Sequence, residues 1–510
     1  MKRAFYLLLI SLPAFGQTMT DRAAARFLDQ ATWGPAPASI ASLEKMGIAG
    51  WLDSQFTAAQ SDLPDQPLLD SAGKQNANLA PVQAAFFENT VNGADQLRQR
   101  VAFILSQIWV VSQVTVRPAY AFPPYWRIFR DNAFNNYRNI VKAVTLSPAM
   151  GRYLNMANNN KGNAAKGTAA NENYARESMQ LFTLGLTELN SNGTPVLDSN
   201  KNPVPTYNQA VVTNMAKVLT GWTYPTAPGA TAKTNNPEYY FGQMFAVETE
   251  HDTTAKAIFN NLTIPAAQTA EQDLDTLIDD LMAQPTMAPF VSQQLIQHMV
   301  TSNPSPAYIE RVSQVFSSTG GDMKSVIAAI LTDSEARAGD AANAPVNATF
   351  GHLREPILLL SNMARGLNAV VGATNSVNNY ANELGENLFN APSVFSYFSP
   401  QNRIAGGLLG PEFQIYSTQT ASDRADLVNT ALYASLGSTT NLNLPPAVVA
   451  AANDLSGLLD AISYVFLHSS MSSALTQAAT SAANAQSTPL AKVQAALYIV
   501  LTSSEYQVVQ

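Results

Sequence analysis

Apolar residues recur every three to four positions along most of this chain, a period that commits it to helices packed against one another. Residues 95–111, DQLRQRVAFILSQIWVV, show it most plainly: Leu97, Val101, Ile104, Leu105 and Ile108 follow an acidic first residue at core spacing. Residues 21–32 place Ala24, Phe27 and Leu28 on one face, and Pro35 and Pro37 break the pattern ahead of a second helix over 37–46. Ser305 with Pro306 reads as an N-cap followed by proline at the first helical position. Gly320 and Gly321 stop that helix, and another starts over 322–332. The chain is predicted to be mainly α, a large multi-helix globular protein.

One interruption stands out. Residues 187–207, TELNSNGTPVLDSNKNPVPTY, hold two turn signals, Asn192-Gly193 and Asn200 to Pro203, and prolines at 195, 203 and 205. They predict a small β-hairpin or extended arm. The Ala/Ser-rich stretch 470–488 reads as a linker and 221–240 as a long loop. With no cysteine in 510 residues, disulfides, thiol catalysis and thiolate metal sites are excluded, so packing must hold the chain together. One large domain over 17–510 is expected, with 420–510 as a looser C-terminal helical part.

Lys2 and Arg3, an apolar run from Ala4 to Pro13 and the small residues Ala14 and Gly16 read as a signal peptide, residues 1–16, cleaved before Gln17. Export to the periplasm, cell surface or medium is expected, with no transmembrane anchor after cleavage. A net charge of −8 argues against nucleic acid as a partner.

Familiar catalytic templates are missing from the sequence: there is no HExxH, GxSxG, GxxxxGK[ST] or GxGxxG. No metal site and no cofactor are expected. Residues 198–204, DSNKNPV, superficially resemble a calcium loop but lack its sixth-position glycine and later glutamate. Of the four histidines, His251 beside Asp252 and near Lys256 follows the long loop and is the best chemical candidate. His352 precedes a loop-to-helix junction at Glu355-Pro356, and His298 reads as an interior or rim histidine. Two aromatic groups, YAFPPYWRIF (120–129) and NAPSVFSYFSP (390–400), either pack in the core or line a sugar-binding cleft.

An ordered set of segments resembles a known family. LDQATWGPAPASI (28–40), LRQRVAFILSQIWVVS (97–112), NENYARESMQLFTLG (171–185), YNQAVVTNMAKVLTGW (207–222), HDTTAK (251–256), GHLREP (351–356), NAPSVFSYFSP (390–400) and PEFQI (411–415) are similar to the motif series of the bacterial exported family called domain of unknown function 1800. The resemblance covers nearly the whole mature chain. It implies export and assigns no reaction. Family members are often encoded beside a second secreted, phosphatase-like family, which implies a partner or a shared export route.

These segments say where to look for a site. In 171–185, Asn171 can cap a helix, and Glu172 sits where the helix dipole favours an anion and can pair with Arg176 four positions on. Glu177 lies about 140° around the helix from Glu172, too far to share one ion, and joins Asn173 and Leu181 near the apolar side. There it needs an arginine, and the motif series offers Arg98, Arg100 and Arg354. Such a pair is either a structural ion pair or part of a site. Two functions follow. The first is a non-catalytic binding or assembly protein with an unidentified ligand, using Arg98, Arg100, Glu172, Asn173, Arg176, Asp252, Lys256 and Arg354. The alternative is a secreted, carbohydrate-active hydrolase that uses Glu177, His251 and Glu355 in a polar cleft roofed by the 187–207 arm.

Overall fold

Thr20 accepts a hydrogen bond from the Ala23 N–H and so opens the first helix, Asp21–Ala31, where the sequence pattern places it. The computed structural model describes residues 19–259, 262–341, 347, 349–372, 376–434, 441–442, 449 and 451–509, and the expected leader over 1–16 lies outside them. The chain is 55 % helical, and its only sheets among the described residues are antiparallel strand pairs. It is therefore mainly α. Ser305 accepts from the Tyr308 N–H at the start of Pro306–Thr319, Gly320 closes that helix at φ 65°, and Asp322 caps Met323–Thr332.

The helix Gln96–Ile108 carries more than one apolar face, because every residue in it except Ser106 is buried. It is a central helix, so Arg98, Arg100 and Gln107 are forced inside and must find partners there. Pro356–Gly366 is buried along its whole length. Among the described residues a large hydrophobic cluster runs from Ala24 to Tyr506 around these two helices, with a small one at Val110, Ala391, Tyr397 and Phe398. Near the end of the chain Val508–Val509 pairs with His352–Leu353, which holds residues 508–509 beside Arg354.

The 187–207 arm is present as two successive turns, with bridges Thr187–Pro205, Leu189–Pro195 and Leu197–Pro203. Asp198 accepts the Asn200 and Asn202 N–H groups, an Asx turn that accounts for the calcium-loop likeness. The Leu189 N–H donates to the Thr286 hydroxyl and the Ser191 hydroxyl to Glu310, so the arm leans on the helices Met287–Met299 and Pro306–Thr319. Among the described residues no hydrogen bond of the arm reaches Glu177, His251 or Glu355. The 470–488 stretch is not a linker. It contains the helix Ser473–Asn484, whose Ala479 and Ala483 are fully buried because their small side chains allow close approach of its neighbours. Among the described residues no helix is long and apolar enough to cross a membrane.

Residues 171–185 form α-helix only over Asn173–Glu177 and then widen into a π-helix over Ser178–Thr183. The Thr183 hydroxyl donates to Ser178 O and the Leu184 N–H to Met179 O, both five residues back. Gly185 leaves the helix at φ 74°, a conformation that suits glycine. Such π-turns inside helices occur often at functional sites.

Candidate functional site

Glu355 is the residue immediately before the buried helix Pro356–Gly366, and its side chain points at the central helix. Gln107 Nε2 donates to Glu355 Oε2 at 2.6 Å and to Glu386 Oε1 at 3.3 Å. Arg100 Nη1 lies 3.4 Å from Glu355 Oε1, and Arg100 Nη2 donates to His298 O. Glu386 Oε2 accepts the Ile357 N–H at 2.8 Å. Burial, and then the charge of Glu355, push the Glu386 carboxyl well above the usual carboxylate range, so it keeps its proton to higher pH than an exposed glutamate.

Beside this cluster lies a cavity of about 50 Å³. Gln107, Leu181, Gln294, His298, Phe395 and Glu412 are among the residues that wall it. Phe395 is 42 % exposed and marks where the cavity meets solvent. The space is ample for several waters or the head of a small ligand. Three polar atoms on its wall are buried without a hydrogen-bond partner among the described residues: Gln107 Oε1, Gln294 Nε2 and Glu412 Oε2. The other Glu412 oxygen faces His352 Nδ1 at 3.5 Å. The His298 imidazole takes no hydrogen bond from a described side chain, and burial lowers it to about 4, so it is neutral at pH 7. Ser396 on the cavity wall holds φ 63° and Phe389, earlier in the same segment, φ 65°, the left-handed region that residues with a side chain seldom adopt.

Compared with protein families, residues 26–508 match the family described as "Protein of unknown function (DUF1800)". The chain belongs to the DUF1800 family. Neither the curated proteins nor the solved structures contain a match to it.

In this DUF1800 chain the segments that carried the resemblance fold onto one another. Gln107 comes from 97–112, Leu181 from 171–185, His352, Arg354 and Glu355 from GHLREP, Phe395 and Ser396 from 390–400, and Glu412 from PEFQI. Asp29, from 28–40, joins Arg354. The first aromatic group packs in the core, with Tyr120, Phe122, Tyr125, Trp126 and Phe129 buried, whereas Phe395 and Phe398 of the second wall the cavity.

Glu177, His251 and Glu355 do not share a partner. Glu177 is partly buried and raised above the ordinary glutamate value, burial outweighing the nearby Arg176 charge, and no hydrogen bond or ion pair reaches its carboxylate among the described residues. The expected arginines are engaged elsewhere. Arg98 donates to Arg130 O and Phe56 O and stacks over Phe134, Arg100 serves Glu355, and Arg354 serves Asp29. His251 is fully buried, with Nε2 3.0 Å from Asp273 Oδ2, the same oxygen that Lys256 Nζ reaches at 2.6 Å. Asp252 caps a turn by accepting from the Thr254 N–H and hydroxyl. Arg176 does pair with Glu172 at 3.1 Å, and Gln209 and Thr213 also donate to Glu172, the Thr213 bond being the largest influence that lowers it. Asn173 gives its backbone N–H to Asn171 Oδ1, the cap expected there.

Sequence reasoning missed Gln107, Gln294, Glu386 and Glu412. Gln107 had a local signal, a carboxamide that follows the apolar run Val101–Leu105 in a helix buried on all sides, and Glu412 lay in a quoted segment. Glu386 had none.

Proposed function

We propose that the protein is an exported binding protein, working in the periplasm or at the cell surface, whose recognition site is the cavity between Gln107, His298 and Glu412. One observation carries this reading: the three unpartnered polar atoms on the cavity wall. Each costs roughly 1–3 kcal/mol while it stays unpaired in the folded protein, a cost that a ligand's polar head offsets. The π-turn that supplies Leu181 and the strained segment around Ser396 add support, since unusual backbone of this kind gathers at ligand sites.

The free groups are two acceptors, one amide donor and a neutral imidazole, set among Ile108, Leu181, Val394 and Phe398. They suit a molecule with an apolar body and a donor-rich head, an amine or an alcohol. Binding is favoured over a hydrolase built on Glu177, His251 and Glu355 because none of these three is among the residues that wall the cavity, and a general acid or base must reach its substrate.

The test is ligand-observed NMR with small amines, alcohols and carboxylates, each with an aliphatic or aryl body. Amines and alcohols should bind, carboxylates should not, Val394→Trp should block the mouth and abolish binding, and Glu412→Gln should weaken amines most. Equal binding by the parent and Val394→Trp would overturn the assignment.

A further inference from the structure

A second depression, of about 260 Å³, shares no lining residue with the Gln107 cavity and is lined by a different chemistry. Eight of its eleven lining residues are asparagine or glutamine, and none is charged. They come from the start of the Ala80–Asn92 helix, the turn after the central helix, the Ser376–Glu383 helix and the turn at 387–390.

The carboxamides are not free to rotate, because backbone partners fix which end of each is nitrogen. Gln83 Nε2 donates to Leu388 O at 2.9 Å and to Asn387 Oδ1 at 3.1 Å. Asn378 Oδ1 accepts the Leu388 N–H, so its Nδ2 donates to Asn387 Oδ1 at 3.0 Å. Gln113 Nε2 donates to Ala77 O and Arg117 O, while the Gln113 N–H holds Phe389 O. A carbonyl accepts only, so each amide orientation follows from its neighbour. Among the described residues Gln83 Oε1 and Gln113 Oε1 are then left as oriented acceptors and Asn387 Nδ2 as an oriented donor, none with a partner. Gln83 and Asn378 are themselves buried, at 5 % and 3 % exposure.

We propose that this carboxamide cup is a second ligand site, specific for a neutral sugar or cyclic polyol. A hydroxyl donates and accepts at once, so adjacent hydroxyls match alternating amide oxygens and nitrogens. A charged ligand finds no counter-charge in the cup, and an apolar one finds almost no apolar wall. Preset amide orientation removes part of the ordering cost that binding otherwise carries. The site stands independently of the Gln107 cavity.

The experiment is titration calorimetry of the full chain with D-glucose, D-galactose, N-acetylglucosamine and myo-inositol, with gluconate and glucosamine as charged controls. At least one neutral ligand should bind in the millimolar range and the charged controls more weakly. Asn387→Asp, which turns the free Nδ2 donor into an acceptor, and Gln113→Met, which removes the free Oε1 acceptor, should each weaken binding about tenfold, the loss expected for one directed hydrogen bond. Asn382→Ala, at an exposed helical position that leaves the fold intact, should weaken it by a smaller factor. Val394→Trp should leave sugar binding unchanged, which separates this site from the cavity. Absence of heat with every neutral ligand, or equal binding by all three cup variants in proteins with unchanged thermal midpoints, would overturn the proposal.

Discussion

Asp29 and Arg354, 325 positions apart, meet in a two-pronged ion pair, Nη1 to Oδ1 at 2.6 Å and Nη2 to Oδ2 at 2.8 Å, with neither residue more than 7 % exposed. His468 Nε2 and Asn362 Nδ2 also donate to the Asp29 carboxylate. The pair joins the first helix to the residue that follows the strand His352–Leu353, which pairs with Val508–Val509. Burial alone would raise Asp29, but Arg354 and His468 overcome it and hold the carboxylate well below its usual range. Asp29→Asn leaves a guanidinium buried without its counter-charge and should cost roughly 3–5 kcal/mol in urea unfolding at neutral pH. Because the folded value is depressed, that contribution is present above the unfolded value of 3.8 and disappears as pH falls below it. A loss under about 1 kcal/mol, the range of an exposed pair, would show that the pair is not what secures this junction.

Glu386 has the opposite sign. Its folded value is raised above 4.5, so the stability it confers is complete below that pH and is lost as pH rises toward the folded value. Glu386→Gln keeps an oxygen for the Ile357 N–H and removes the titration. Thermal midpoints measured from about pH 5 to about pH 9 should fall less steeply for the variant than for the parent. Parallel curves would mean that Glu386 does not carry its proton into the neutral range.

The helices were legible because a helix writes its own periodicity: Leu97, Val101 and Ile108 announce Gln96–Ile108, and Ser305 with Gly320 marks both ends of Pro306–Thr319. The site was legible only in pieces. GHLREP and PEFQI drew attention to Glu355 and the neighbourhood of Glu412, but Gln107 meets Glu355 across 248 positions and Glu386 across 279, and no local pattern encodes such a meeting. Burial was the harder quantity to foresee. His251-Asp252 follows the long loop and reads as the best chemical candidate, yet His251 turns inward to Asp273, which lies on a helix 22 residues later. The 470–488 stretch misled for a related reason, since alanine and serine mark both flexible linkers and tightly packed helices.

Glu177 tests the sequence-based ion-pair idea directly. Its carboxylate is partly desolvated, raised by burial, and held by no hydrogen bond among the described residues. Neutralising it therefore removes a cost. Glu177→Gln should leave stability at neutral pH unchanged or raise it by up to about 1 kcal/mol. A loss of roughly 3–5 kcal/mol in chemical denaturation would point instead to a buried counter-charge.

Lys256 and Asp273 decide whether the His251 cluster is structural. All three side chains are fully buried, and Asp273 Oδ1 has no partner among the described residues, so Asp273 depends on Lys256 and His251 through its other oxygen. Lys256→Met leaves that carboxylate with the imidazole alone and should cost roughly 3–5 kcal/mol. Asp273→Leu on its own strands the ammonium and should cost a similar amount. The double variant strands neither charge, and replacing a buried ion pair with apolar groups of like volume is often close to neutral, so it should be more stable than either single variant. That non-additivity, read from denaturant midpoints of the four proteins, is the signature of a pair whose partners need each other. Additive losses would mean that each residue is held by the surrounding packing, and the cluster's role would then have to be sought outside folding.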